Sequence, residues 1–135
     1  MLRQVAEHLS ALTLGAVSPI VNEFGFSINS LIRQWTMSTP TQIVANRDDY
    51  VLGDGTVKRI SSDAARNITG FANGVDGELK LLINVGAFAI TVQHQNAGSV
   101  ATNRVILLTG ADTAIAANGQ MWIVYDSVTG RWRQI

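Results

Sequence analysis

Two histidines, a run of acidic and amide side chains, and a glycine-rich stretch are the places where this chain could do chemistry. His8 and His94 lie far apart, and neither has a second histidine at the spacing of a metal site. His94 is therefore expected to be a half-buried residue at a strand end. Asn46, Asp48, Asp49 and Asp54 crowd oxygen ligands of the kind that bind calcium, but the loop pattern with its closing glutamate is absent. Their expected role is turn formation. Residues 70–77, from Gly70 through Phe71 to Gly77, lack the lysine and following hydroxyl of a phosphate loop and lead into a strand. No Gly-x-Ser-x-Gly elbow occurs, and no carboxylate pair stands in a recognisable frame. Arg131, Trp132 and Arg133 mix charge with an aromatic surface, as a stacking platform for nucleic acid does. Ten basic residues balance ten acidic ones, however, so no overall field draws the chain to a polyanion. Without cysteine there is no disulfide framework, thiolate metal site or cysteine nucleophile. The expectation is a protein that is not an enzyme, holds no cofactor or metal, and works by shape and contact.

A length of 135 residues suits one domain with an appendage. Only 15% of residues are charged while 47% are hydrophobic, a low polar share that suggests apolar surface covered by an oligomer. Leu2, Val5, Leu9, Leu12 and Ala16 alternate at spacings of three and four, the stripe of a helix. Such a seam fits either a helix packed on its own domain or a short self-association stalk. Gly15 and Pro19 should end it, Ser27 can cap a second short helix with Ile28, Leu31, Ile32 and Trp35 on one face, and Pro40 closes the region. Residues 1–40 are thus expected to form a helical attachment or oligomerisation segment. The run from His8 to Asn22, without Asp, Glu, Lys or Arg, is too short and too interrupted for membrane insertion, and Glu7 and His8 sit badly for a secretory signal.

Residues 41–135 read as an antiparallel β module. Asp54-Gly55 supplies the positive backbone angles of a tight hairpin before Val57. Leu79, Leu81, Ile83 and Val85 alternate with Glu78, Lys80 and Asn84, and Phe88, Ile90 and Val92 alternate likewise beyond a turn at 84–87. Met121 to Tyr125 is apolar on both faces, so Met121, Ile123 and Tyr125 are candidates for a subunit interface. The fold class expected is mainly β, an antiparallel β-sandwich or barrel-like module of about eight to ten short strands, preceded by the helical segment. No strict internal repeat is visible, which disfavours a solenoid of many equal coils.

Several phrases carry a family likeness: Ser61-Ser62-Asp63-Ala64-Ala65-Arg66-Asn67-Ile68-Thr69-Gly70, Leu82-Ile83-Asn84-Val85-Gly86, Ile90-Thr91-Val92-Gln93-His94, Asn103-Arg104, Gly110-Ala111-Asp112 and Trp122-Ile123-Val124-Tyr125-Asp126 before Arg131-Trp132. Residues 57–135 resemble a β-rich module that recurs in structural proteins of tailed bacteriophages and prophages, especially tail fibres and baseplate-associated proteins. The resemblance implies a virion protein assembled in the host cytoplasm, a homotrimer, with other tail, baseplate or capsid proteins as partners and no catalytic residues. A capsid decoration protein is the alternative within that class. From a different class comes a carbohydrate-binding module, with Tyr50, Phe71 or Trp132 stacking on host surface glycans. If the seam at Leu2, Val5, Leu9 and Leu12 holds the oligomer, Leu9→Asp should dissociate it without unfolding the sheets. Sedimentation of that variant at the wild-type rate removes the seam from the interface.

Overall fold

The computed structural model describes residues 35–135, and the β-rich unit runs Thr36–Ile135. Leu2, Val5, Leu9 and Leu12, and both helices expected before Trp35, lie outside the described residues. Alternating runs separated by Gly, Asn and Asp turns become nine short strands among the described residues: β1 (Met37–Ser38), β2 (Val57–Ile60), β3 (Arg66–Ile68), β4 (Leu79–Asn84), β5 (Ile90–Val92), β6 (Val105–Ile106), β7 (Thr113–Ile115), β8 (Gln120–Asp126) and β9 (Arg131–Gln134). A single 3-10 turn, Ala101–Asn103, precedes β6. The unit is mainly β, and it begins ahead of the expected boundary at residue 41, because Met37 and Ser38 pair with Val57 and Lys58.

The strands form two sheets, one in the order β1-β2-β4-β8-β9-β6 and one in the order β3-β5-β7. Their pairing corrects the antiparallel expectation. β1 with β2, β2 with β4, β3 with β5, and β6 with β9 are parallel; β4 with β8, β5 with β7, and β8 with β9 are antiparallel. The cause is that the chain does not double back after each strand. It crosses to the other sheet, where Ile43, Arg47 and Tyr50 bridge in parallel to Ser62, Ile68 and Phe71, and then re-enters the first sheet in its original direction. Three successive passes stack in this way, through β1, then β2 and β3, then β4 and β5. The passes are unequal in length, which is why no fixed repeat shows in the sequence. Gly53 and Gly55 have φ of 73° and 93°, so the expected turn at Asp54-Gly55 exists, but it starts a crossover rather than a hairpin.

Crossing corners leave backbone carbonyls with no strand partner, and three buried polar side chains satisfy them. Along β4, Lys80, Leu82 and Asn84 face inward while Leu79, Leu81 and Ile83 face out half-exposed, so the mixed face of that strand is the buried one. Lys58 and Lys80, 1% and 4% exposed, meet around the first corner. Lys80 Nζ donates to the carbonyls of Gly53 (2.9 Å) and Gly55 (2.7 Å) and pairs with Glu78 (2.8 Å). Lys58 Nζ donates to Ser38 Oγ (2.7 Å) and to the Asp54 carbonyl. Burial and the neighbouring Lys80 push the Lys58 ammonium below its ordinary pKa, against the pull of Asp54 and Glu78. At the corner between β4 and β5, Asn84 Nδ2 donates to the carbonyls of Phe88 and Ile115 (both 2.8 Å), and its Oδ1 accepts from Gly86 N (3.0 Å).

Between the sheets lies one apolar cluster, in which Ile43, Ile60, Ile68, Leu82, Ile90, Val92, Ile115 and Ile123 are closed over by β9. Trp132 is its largest member: its ring stands edge-on to Phe71 (6.1 Å) and Tyr125 (5.2 Å), and its Nε1 donates to the Phe71 carbonyl at 2.7 Å. Gly70 is wedged beneath the loop before β6, where a Cβ would collide with the Asn103 backbone carbonyl. Gly70→Ala should therefore cost on the order of 1–3 kcal/mol, since backbone yields less readily than a side-chain end. Urea denaturation reads this as a lower midpoint.

Candidate functional site

Among the described residues the segment Arg47–Tyr50 belongs to the outermost of the stacked passes, and four backbone hydrogen bonds hold it against the second pass. Arg47 N donates to the Asn67 carbonyl (2.9 Å), Thr69 N to the Arg47 carbonyl (2.9 Å), Tyr50 N to the Gly70 carbonyl (2.8 Å) and Ala72 N to the Tyr50 carbonyl (3.0 Å). Between those anchors Asp49 takes φ 47°, a left-handed conformation that few non-glycine residues adopt and that neighbours must enforce.

The enforcing groups come from the loop before β6. Asp49 N donates to Ser99 Oγ (2.8 Å), while its Oδ1 accepts from Val100 N (3.0 Å) and Asn103 Nδ2 (2.8 Å). Ser99 and Thr69 are buried, with their hydroxyls 2.7 Å apart, and Thr69 Oγ1 also donates to Asp48 Oδ1 at 2.7 Å. The Asn103 amide, helped by Val100 N–H, Ser99 and Arg104, holds the Asp49 carboxyl below the usual carboxylate range despite the opposing effect of burial. Asp48 and Asp49 thus serve the turn, as the sequence led one to expect. Among the described residues no group of three His, Asp or Glu side chains is placed to hold a metal ion.

Over this braced segment opens a cleft of about 350 Å³ lined by Pro40, Thr41, Arg47, Asp48, Asp49, Tyr50 and Val51. Tyr50 is half-buried: its ring leans on Phe71 with centroids 6.5 Å apart, and burial raises its phenol pKa. Arg47 is exposed. A second, smaller cleft of about 200 Å³ lies beside the lysine-bonded corner, between Leu52, Gly53, Asp54, Asn73, Val75 and Lys80.

The sequence candidates divide accordingly. Of the three aromatics proposed for glycan stacking, Tyr50 lines the larger cleft, whereas Phe71 and Trp132 are 0% and 1% exposed in the core and have no face to offer a ligand. Met121, Ile123 and Tyr125 are 3%, 0% and 9% exposed, covered by the chain's own second layer; the side chains of β8 directed away from the core are Gln120, Trp122, Val124 and Asp126, of which only Trp122 and Val124 are apolar. His94 accepts the Leu107 backbone N–H at Nδ1 (3.1 Å), and its backbone N–H donates to Asp112 Oδ1 (2.8 Å), a structural place at a strand end. Among the described residues no helix is long and apolar enough to cross a membrane. Sequence reasoning missed Ser99 and Asn103, small polar residues in a loop with no motif, whose role arises from contacts to Asp49 some fifty residues distant in sequence, and Thr69, which joins Ser99 to Asp48.

No family model matches the chain, and no curated protein or solved structure matches it.

Asp49, Asp63, Asp112 and Asp126 all have carboxyls held below their ordinary pKa, by Asn103, Arg66, His94 N–H and Thr129 respectively as the first cause. A depressed folded pKa gives stability that is present above the unfolded value and is lost as pH falls through the folded one. Stability should therefore hold from neutral pH into the ordinary carboxylate range and decline below it. Asp49→Ala should be less stable at neutral pH and show a shallower acid decline, read from urea midpoints across a pH series.

Proposed function

We propose that the chain is a structural component of a tailed-bacteriophage particle, a short tail fibre or baseplate-associated protein that assembles as a homotrimer and meets the host surface. Its work is packing, with no reaction catalysed. The likeness of residues 57–135 to phage structural modules supports the class, and the outward face of the six-stranded sheet supports assembly. On that face the register aligns Met37 with Val57, Val57 with Leu81, and Leu81 with Trp122, an apolar row across four strands. Leu79 and Val124 add a second pair beside it. Met37 is 50% exposed, whereas Val57 is buried although it lies outside the core cluster between the sheets.

This row carries the reading. Burying apolar surface stabilises by roughly 25 cal/mol per Å², and Met37, Leu81 and Trp122, which keep surface that buried Val57 does not, supply several kcal/mol toward association when repeated in three copies. The sandwich-like arrangement of the two sheets fits a unit that uses its inner faces for its own core and one outer face for a neighbour. A capsid decoration role uses the same face, and cosedimentation with purified heads rather than purified tails would select it. Leu81→Glu should convert the trimer to monomer while leaving cooperative unfolding intact, measured by native mass and thermal denaturation. A wild-type chain that is monomeric at every concentration defeats the reading.

A further inference from the structure

We propose that the cleft over Arg47–Val51 binds one or two rings of an uncharged polysaccharide. Its volume of about 350 Å³ falls at the lower end of small-ligand sites. What marks it as more than a surface dent is the combination of a braced floor with unengaged side chains at its rim. The Arg47 guanidinium makes no hydrogen bond or ion pair with any described residue, although its backbone is bonded on both sides. The Tyr50 hydroxyl, within the field of the Arg47 charge, makes no hydrogen bond to a described residue, while its ring is steadied from one side by Phe71. Asp48 has one carboxylate oxygen tied to Thr69, which is itself fixed by buried Ser99, and this leaves Oδ2 without a partner.

These groups match a pyranose one by one. A guanidinium only donates and a carboxylate only accepts, so Arg47 and Asp48, consecutive in the chain and both lining the cleft, can read the oxygen and the proton of sugar hydroxyls. The exposed part of an aromatic ring suits the C–H face of a sugar. Arg47 and Asp48 cancel in charge, and Asp49 is engaged by Asn103 and faces the Arg104 field, which favours a neutral sugar over a uronic acid. Because the floor is already held by the Asp49–Ser99–Asn103 bonds, little ordering is left to oppose binding. The inference rests on the reading of the chain as a particle surface component only in making a host surface polysaccharide the source of the sugar.

Neutral trisaccharides of glucose, mannose and N-acetylglucosamine, with a galacturonic acid trimer as charged control, are the probes, followed by saturation-transfer NMR and titration on the full chain. At least one neutral trisaccharide should bind at millimolar concentration and shift amides within residues 40–51. Arg47→Ala, an exposed position, should weaken that binding by about tenfold, the loss of one charge-assisted hydrogen bond. Asp48→Asn, which keeps an acceptor for Thr69, should weaken it as well, and Arg59→Ala, outside the cleft, should leave it unchanged. Absence of binding by all three neutral probes, indifference to Arg47→Ala, or preference for the galacturonic trimer overturns the inference. Native mass measured on the same samples reports on assembly separately: a monomer that binds sugar defeats only the trimer, and a trimer that binds none defeats only the cleft.

Discussion

Each time this chain crosses from one sheet to the other it turns a corner at which backbone carbonyls lose their strand partners. Everything else follows from how those carbonyls are satisfied. Lys58 and Lys80 reach inward to bond the 53–55 corner, and Asn84 bonds the corner that leads from β4 to β5. A buried ammonium is costly unless paired and hydrogen-bonded, so these side chains specify where the chain turns more strictly than an apolar residue could. With the corners set, successive passes lie in parallel register and the inward side chains of both sheets meet in one core.

That arrangement also creates the site. Stacked passes have an end, and among the described residues the first of them is bonded along its strand edge to the second. The loop before β6 comes up beneath it and supplies Ser99, Asn103 and the Val100 N–H, which lock Asp49 in its left-handed conformation. Arg47, Asp48 and Tyr50 are held on a stiff base, and the Arg47 guanidinium and Tyr50 hydroxyl make no hydrogen bond to another described residue. The two proposals therefore draw on different parts of one scaffold: the outward row from Met37 to Trp122 for assembly, and the open end of the passes for ligand contact.

Strand positions were legible in the sequence because alternation of apolar and polar residues is a local signal; β4 and β5 fall where that pattern placed them, and β8 covers the run apolar on both faces. Pairing direction was not. A turn at Asp54-Gly55 looks the same whether the chain returns beside its last strand or crosses to another sheet, and the difference lies in Lys80, more than twenty residues downstream, bonding the corner carbonyls. Face assignment failed for a related reason: a strand carrying lysine and asparagine on one side and leucines on the other reads as polar-out, yet Lys80 and Asn84 point inward because the corners need donors there. Of the three aromatics named for stacking, Tyr50 lines the cleft, while Phe71 and Trp132 are indistinguishable in type from surface aromatics and only packing buries them.

By itself, then, the order of residues determined a β-rich unit, its turns, and a composition without metal-site or nucleophile motifs, since each depends on residues near one another in the chain. Tertiary structure alone decided the parallel stacking, the inward lysines, the bracing of Asp49 by Ser99 and Asn103, and the cleft above it. Those depend on contacts between segments tens of residues apart, whose energies no local pattern records.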